Sequence, residues 1–215
     1  MLNFPTKTQF GKRIPKGKFY EHLPVNTDLK RLFIDQIQTI TWSYKLAPET
    51  LAVEKGKYVA EIQVFTIRLN SGELDDRLLY LIDRGIPYHI LYILENVKNP
   101  GKIQLRIGFK EQHKVYRYYE TDWQSSEELL ISLHGLDMDV LYDHLVRQIA
   151  GDKLNGSETS DLKEAVERQL AAAKLEKRIA SLEKKRDNEK QLNRQVEINA
   201  EIRKLKQQIE ELKNG

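Results

Sequence analysis

The stretch that decides the fold is Tyr58 to Leu69, YVAEIQVFTIRL. Its β-branched and aromatic residues are typical of a β-strand and make it the strongest strand signal in the chain. Successive side chains on a strand point to opposite faces, so Ile62 and Val64 share one face while Glu61 and Gln63 share the other. The segments before and after this strand in the sequence predict the other elements of the fold.

Helices and further strands flank this strand on both sides in the sequence. The apolar run YHILYIL at 88–94 predicts a strand that is buried on both of its faces. Gly85 and Pro87 end the helix that separates these two strands. The remaining predicted elements are helices at about 26–38, 74–84 and 136–150, and strands at 39–46, 102–110 and 115–121. The order α-β-β-α-β-β-β-α predicts an α+β domain with a mixed sheet and flanking helices over residues 1–151, followed by a polar linker at 152–160.

The last quarter of the chain is built from strong helix formers and contains no Gly or Pro from Glu158 to Asn214. Two apolar seams run through it with the alternating spacings of four and three residues that mark a coiled coil. They comprise Leu175, Ile179 and Leu182 in the first part and Ile198, Ile202, Leu205, Ile209 and Leu212 in the second. The two seams do not share a phase, so we predict a break near 186–188 and a coiled-coil hairpin of two antiparallel helices over 161–213. One continuous helix that pairs with a second copy of the chain is the alternative.

Composition excludes several classes of protein. The chain of 215 residues has no cysteine, which rules out a disulfide scaffold, a catalytic thiolate and a zinc finger. No apolar run approaches the roughly 20 residues needed to span a bilayer, and the N-terminal residues lack the apolar core of a signal peptide. We therefore expect a cytoplasmic protein without a membrane segment. The net charge of +3 is too small to indicate nucleic-acid binding by the chain as a whole.

Positive charge is concentrated in residues 1–20, here called the basic arm, which carry five cations and no acid. The cations are Lys7, Lys12, Arg13, Lys16 and Lys18, and four aromatic residues are interleaved with them. Glycines and prolines discourage a helix, so we expect an irregular segment whose aromatic side chains pin it to the core. The alternative is a weak nucleic-acid site, in which the cations contact phosphates and the rings stack on bases.

Catalytic motifs are nearly absent. The sequence has no zinc-protease histidine pair, nucleophile elbow or phosphate-binding glycine loop, and we interpret His89 and His113 as structural. One pattern is typical of restriction-type nucleases of the PD-(D/E)xK kind, in which an upstream acid and an acid-x-lysine strand hold Mg²⁺. Glu54 would be the upstream acid here, and Glu61 and Gln63 would occupy the strand positions, with glutamine where lysine is needed. Because acids that alternate along a strand usually form the solvent-facing side of a half-buried sheet, and because position 63 is glutamine, we predict no catalytic residue, metal or cofactor.

The second helix of the predicted hairpin carries a polar face that is not a simple Glu-Lys repeat. Residues 189–204, EKQLNRQVEINAEIRK, include amide and guanidinium side chains suited to specific contacts. The candidate residues are Asn193, Arg194, Glu197, Asn199 and Arg203. A solvated face is one interpretation of this surface, and a face that binds a protein partner or mediates self-association is the alternative.

Several segments together resemble a bacterial family of uncharacterised domains. They are FPTKT from Phe4, IPK from Ile14, the runs from Ile40 to Thr50, Glu61 to Phe65 and Ile82 to Leu91, and EKQLNRQVEINAEIRKLK from Glu189. The resemblance implies a small protein with no assigned activity, encoded near restriction-modification-like helicases and methyltransferases. It implies no catalytic residues.

These observations favour a non-enzymatic accessory or adaptor protein of a bacterial DNA-modification or phage-defence system, which binds a partner protein through the coiled coil. A metal-dependent or degenerate restriction-type nuclease, with Mg²⁺ as its cofactor, is the alternative. Carboxylates clustered in a cleft around Glu61 would favour the nuclease, and isolated acids would favour the adaptor.

Overall fold

The computed structural model describes residues 2, 4–21, 25–111, 113–154 and 161–214. It divides into two units, Met1–Gly151 and Asp152–Gly215. The first unit is an α+β domain and the second is a pair of long helices. Most of the predicted linker, at 155–160, lies outside the described residues.

The α+β domain is built on a mixed seven-stranded sheet. Its strands are β1 (Gln9–Ile14), β2 (Ile37–Leu46), β3 (Ile62–Leu69), β4 (His89–Asn96), β5 (Lys102–Glu111), β6 (Lys114–Glu120) and β7 (Gln124–Ser125). The first six strands lie in the sheet in their chain order, and β7 pairs with the first residues of β5. All neighbouring strands are antiparallel except β3 and β4. This parallel pair is joined by helix α4 (Asp76–Gly85), because the chain must return to the same end of the sheet.

Helices cover both faces of the sheet. The others in this domain are α1 (Gly17–Tyr20), α2 (Thr27–Gln36), α3 (Pro48–Leu51) and α5 (Met138–Ala150). On one face, α2 and α4 enclose a core that includes Phe33, Leu78 and Ile90. On the other face lies α5, because its Tyr142 ring contacts His89, which alternates with Ile90 along β4, at 4.3 Å between centroids. Each fully buried aliphatic or aromatic side chain in such a core contributes about 1.5–3 kcal/mol.

The predicted α+β architecture is confirmed, with two local corrections. The central strand begins at Ile62, because the Asp139 carboxylate accepts the backbone N–H groups of residues 57–59 at 2.7, 3.1 and 2.8 Å and holds them in a turn. The basic arm is not irregular, since it contains β1, which pairs with β2, and then α1. Gly11 has a φ of 66° where the β1–β2 register shifts, a left-handed conformation that glycine adopts without strain.

The second unit is a helical hairpin of α6 (Leu162–Asn188) and α7 (Leu192–Asn214). Both predicted seams meet in one apolar core, which contains Ala172, Leu175, Ile179, Leu182, Ile198, Ile202, Leu205, Ile209 and Leu212. The break lies at 189–191, just beyond the predicted 186–188, and the Glu189 carboxylate accepts the backbone N–H of Gln191 at 3.0 Å there. The predicted hairpin is confirmed, and the alternative of one continuous helix is wrong.

Candidate functional site

A groove of about 600 Å³ lies on the α+β domain between the basic arm and the segment that follows α4. Lys12, Arg13 and Lys18 of the arm line one side of it. Its floor includes Trp42 of β2 and Gln63 and Phe65 of β3, and residues 85–88 form the opposite wall. We call this feature the arm groove. It brings together four parts of the chain that are separated in sequence, namely the arm, β2, β3 and the segment at 85–88.

The pairing of β1 with β2 places the arm's cations. Lys12 lies directly opposite Trp42 in the antiparallel ladder, so the two side chains share the face that forms the groove. The Lys16 ammonium donates a hydrogen bond of 2.6 Å to the carbonyl oxygen of Ile37 and ties the arm to the start of β2. Lys7 is exposed but does not line the groove. Arg13 also borders the groove, but it pairs with Thr41, so its side chain points to the opposite face of the sheet from that of Lys12. Of the five predicted nucleic-acid contacts, Lys12 and Lys18 therefore converge on the groove, Lys16 anchors the arm, and Lys7 and the Arg13 side chain lie apart.

The three groove cations are exposed, and their charges are uncompensated. Across the part of the chain that the structure describes, neither Lys12, Arg13 nor Lys18 forms an ion pair with an acid, and none of the described groove-lining residues is acidic. Cations that attract no acid of their own chain are available to an anionic ligand.

Exposed aromatic rings lie in the groove and beside it. Phe10 does not line the groove itself, but its ring packs on the lining residue Trp42 with 4.0 Å between centroids and remains 45% exposed. On the opposite wall, Tyr88 is 38% exposed. Phe65, by contrast, is buried in the floor. Exposed rings beside cations are the combination that binds unpaired nucleic-acid bases.

The wall at 85–88 is held in place by a buried lysine. The Lys110 ammonium donates to the carbonyl oxygens of Ile86 at 2.6 Å, Tyr88 at 2.9 Å and Asp83 at 3.1 Å, and it lies 3.3 Å from the Asp83 carboxylate. These acceptors end α4 and begin the wall, so one side chain fixes their mutual position. Sequence reasoning missed this residue, because nothing in the β5 pattern distinguishes Lys110 from a solvated lysine.

The Asp83 carboxylate completes this buried network. It accepts hydrogen bonds from the hydroxyls of Tyr92 at 2.8 Å and Tyr118 at 2.5 Å. Only 4% of Asp83 and 4% of Lys110 are exposed. Burial raises the pKa of Asp83 and lowers that of Lys110, while each supplies the charge that favours the ionised form of the other. The network is satisfied internally and serves the wall of the groove.

The residues of the nuclease hypothesis are only partly brought together. The Gln63 amide donates to one Glu61 oxygen at 2.7 Å, and the Lys45 ammonium lies 3.1 Å from the other. Lys45 also pairs with Glu49 at 3.1 Å, and hydrogen bonds to Glu49 and Glu61 raise the pKa of Lys45. Glu54 instead forms an isolated β-bridge with Asp137.

Glu61 and Gln63 are 9% and 4% exposed, so the interpretation of a solvent-facing side is wrong. The helices that cover this face of the sheet explain their burial. No group of three metal-ligating side chains occurs among the residues that the structure describes.

The predicted hairpin surface is mostly open. Asn193, Arg194, Glu197 and Arg203 are exposed, whereas Asn199 is half-buried and accepts a hydrogen bond from Arg186 at 3.3 Å. Two exposed apolar residues on the same helix were missed, namely Leu192 at 72% and Val196 at 60%. Their signal was available in the sequence, because both fall outside the seam.

The fold defines the molecule as an α+β domain joined to a helical hairpin. The chain belongs to the DUF4391 family, a domain of unknown function, whose model matches residues 2–209 and so spans both units. No curated protein and no solved structure matches it. Among the described helices, none combines the length and the apolar character that crossing a membrane requires.

Proposed function

We propose that this protein is a non-enzymatic accessory protein that docks onto a larger protein through its helical hairpin, in a bacterial DNA-modification or phage-defence system. The observation that carries the proposal is the exposure of Leu192 and Val196 on α7. Large apolar side chains on a charged helix cost solubility, and a partner that covers them gains hydrophobic stabilisation.

The position of these residues supports docking by one helix face. Leu192 and Val196 are four residues apart and therefore neighbours on the surface of α7. Val196 precedes the seam residue Ile198 by two positions, about 200° around the helix. The hairpin core thus leaves this pair uncovered, with the exposed Asn193 and Glu197 beside it. An apolar pair bordered by polar side chains fits a helix that lies in a partner's groove.

The state of Glu61 also supports a binding role rather than hydrolysis. A Mg²⁺ site requires carboxylate oxygens that are free to coordinate the ion. Both Glu61 oxygens already have partners, Gln63 and Lys45. Metal binding would have to displace an ammonium and an amide from a carboxylate that is nearly inaccessible.

Co-purification from the native host tests the docking proposal. We expect the wild-type chain to retain a stoichiometric protein partner that the Leu192→Glu/Val196→Glu variant loses. The matched control is Leu130→Glu/Leu136→Glu, which places the same charges at two leucines that are each 86% exposed on the α+β domain. Sedimentation of the purified proteins distinguishes self-association, since the hairpin variant alone would then change mass. Equal recovery of the partner by all three proteins would contradict docking through α7.

The nuclease remains a second candidate because one observation favours it. Gln63 lies in the floor of the cationic arm groove and also holds Glu61, which places a carboxylate next to a surface suited to phosphates. If this candidate is right, Mg²⁺ or Mn²⁺ produces nicking of DNA by the wild type, and Glu61→Ala and Glu61→Gln abolish it. We expect no cleavage by any of the three proteins.

A further inference from the structure

We propose that the arm groove binds single-stranded nucleic acid, with phosphates at Lys12 and Lys18 and bases stacked on the exposed ring of Tyr88 and on that of Phe10 beside the groove. This inference goes beyond the docking role of the hairpin and does not depend on it. It rests on the geometry of the α+β domain alone.

The cations define the ligand's charge. Three cations line one side of the groove without an acidic partner among the described residues, and the described lining contains no carboxylate. The side chains of Lys12 and Lys18 are available to the phosphate groups of a strand, and each such contact releases a counterion. Lys16 does not belong to this set, because its ammonium is committed to the Ile37 carbonyl.

The exposed aromatic rings indicate which chemical groups the ligand carries beside its negative charges. Tyr88 stands on the wall that Lys110 fixes through three backbone carbonyls, so this ring is positioned before any ligand binds. Phe10 lies beside the groove, where its ring packs on Trp42. Every base has a flat π face, so stacking on such rings tolerates any sequence. An acidic peptide would satisfy the cations, but it would leave these aromatic faces without a matching group.

The exposed rings favour a single strand over a duplex. The volume of the groove, about 600 Å³, lies within the range of small-molecule sites. Bases in a duplex are already stacked on one another, and exposing one costs a few kcal/mol. We therefore expect single strands to bind better than duplexes of the same sequence.

Fluorescence anisotropy with a labelled oligothymidine of about 12 nucleotides and the full-length chain tests this inference. Two phosphate contacts predict that the affinity falls about sevenfold between about 50 and 200 mM salt. Replacement of the three cations in Lys12→Gln/Arg13→Gln/Lys18→Gln should remove most of the binding and flatten the salt dependence. Tyr88→Ala should weaken binding about five- to 150-fold at constant salt slope, because it removes stacking and keeps the backbone carbonyl that Lys110 holds.

Two matched controls separate the groove from general charge and folding. Lys184→Gln/Lys190→Gln/Lys204→Gln removes the same charge from exposed hairpin positions and should bind as the wild type does. Tyr116→Ala truncates a tyrosine of similar exposure, 43%, outside the groove lining and should also have no effect. Circular dichroism of every variant verifies that the fold is retained.

Four results would overturn the inference. They are no binding of oligothymidine at low salt, equal affinity for the duplex, unchanged affinity of the groove variants, and equal displacement by an oligoglutamate of matching charge. The last result would identify an acidic peptide as the ligand instead. None of them bears on the hairpin, so the docking proposal stands or falls separately.

Discussion

Lys110 and the three cations of the arm groove occupy neighbouring parts of the α+β domain but lie in opposite environments. Lys110 is 4% exposed and reaches three carbonyl oxygens and a carboxylate. Lys12, Arg13 and Lys18 are exposed and pair with no acid among the described residues. A buried charge is tolerated only when it is paired and hydrogen-bonded, whereas an exposed one needs no partner. Lys110 therefore builds the groove, and Lys12 and Lys18 are available to its ligand.

The largest expected effect on stability follows from replacing the buried lysine, Lys110. Lys110→Met should lower the free energy of unfolding by about 3–5 kcal/mol, because it leaves the Asp83 carboxylate buried without its cation. Urea denaturation followed by circular dichroism measures this loss. Adding Asp83→Asn should recover part of the stability by removing the unpaired charge. A loss below 1 kcal/mol in the single variant would mean that the pair contributes little to the wall of the groove.

The second expected effect is a dependence of the folding stability on pH, which arises from the buried side chain of His89. Burial lowers the pKa of His89 to about 4 from its ordinary value near 6.5, and its Nε2 lies 3.2 Å from the Lys110 carbonyl oxygen. The unfolded chain therefore takes up a proton first as the pH falls. The stabilisation is fully present above pH 6.5 and is lost between 6.5 and 4, with a magnitude of up to about 3 kcal/mol.

Denaturation of the wild type and of His89→Gln across this pH range provides the measurement. In the variant, the free energy of unfolding should change less steeply with pH, because only the carboxylates and not His89 then contribute to the change. Parallel pH profiles for the two proteins would show that His89 ionises equally in the folded and unfolded states.

A smaller effect is expected at Lys16, which lies between the two environments because it is half-buried and makes one hydrogen bond. Lys16→Ala should reduce the stability by about 1.5 kcal/mol, the contribution of a hydrogen bond from a charged donor. It should also loosen the arm, which amide hydrogen exchange would detect as faster exchange in β1. Unchanged protection of β1 would show that its pairing with β2 holds the arm without Lys16.

The smallest effect on stability is expected from the groove itself. Lys12→Gln/Arg13→Gln/Lys18→Gln should change the free energy of unfolding by no more than about 0.5 kcal/mol, because no described acid loses a partner. The same variant is expected to lose nucleic-acid binding, so stability and binding separate at this site. A large loss of stability, as judged from the melting temperature, would place these cations in the framework of the fold instead.

The hairpin could be predicted from the sequence because its signal is local. The phase mismatch between Leu182 and Ile198 requires a break, and the seams on either side then meet. The central strand was predictable for the same reason, although its first residues were not. Their conformation depends on hydrogen bonds to the Asp139 carboxylate, and Asp139 lies 80 positions beyond Val59 in the chain.

The arm groove was only half predictable. The sequence pointed to the cations of the basic arm but could not distinguish Lys12, which faces the groove, from Lys16, which anchors the arm. That distinction depends on the pairing of β1, whose sequence QFGKRI shows no apolar alternation and contains Gly11 at a shift of register. The opposite wall at 85–88 is distant from the arm in the chain and meets it only in the folded domain, and no local pattern encodes such a juxtaposition.

Photocrosslinking of a 5-bromouracil-substituted single strand to the full-length chain, followed by mass spectrometry of the peptides, tests the role of the groove most directly. Bases stacked on the exposed rings should attach at Phe10, Trp42 or Tyr88, and the Lys12→Gln/Arg13→Gln/Lys18→Gln variant should lose these attachments. Crosslinks that map to α7 or to β5 and β6, and that persist in the variant, would contradict the account.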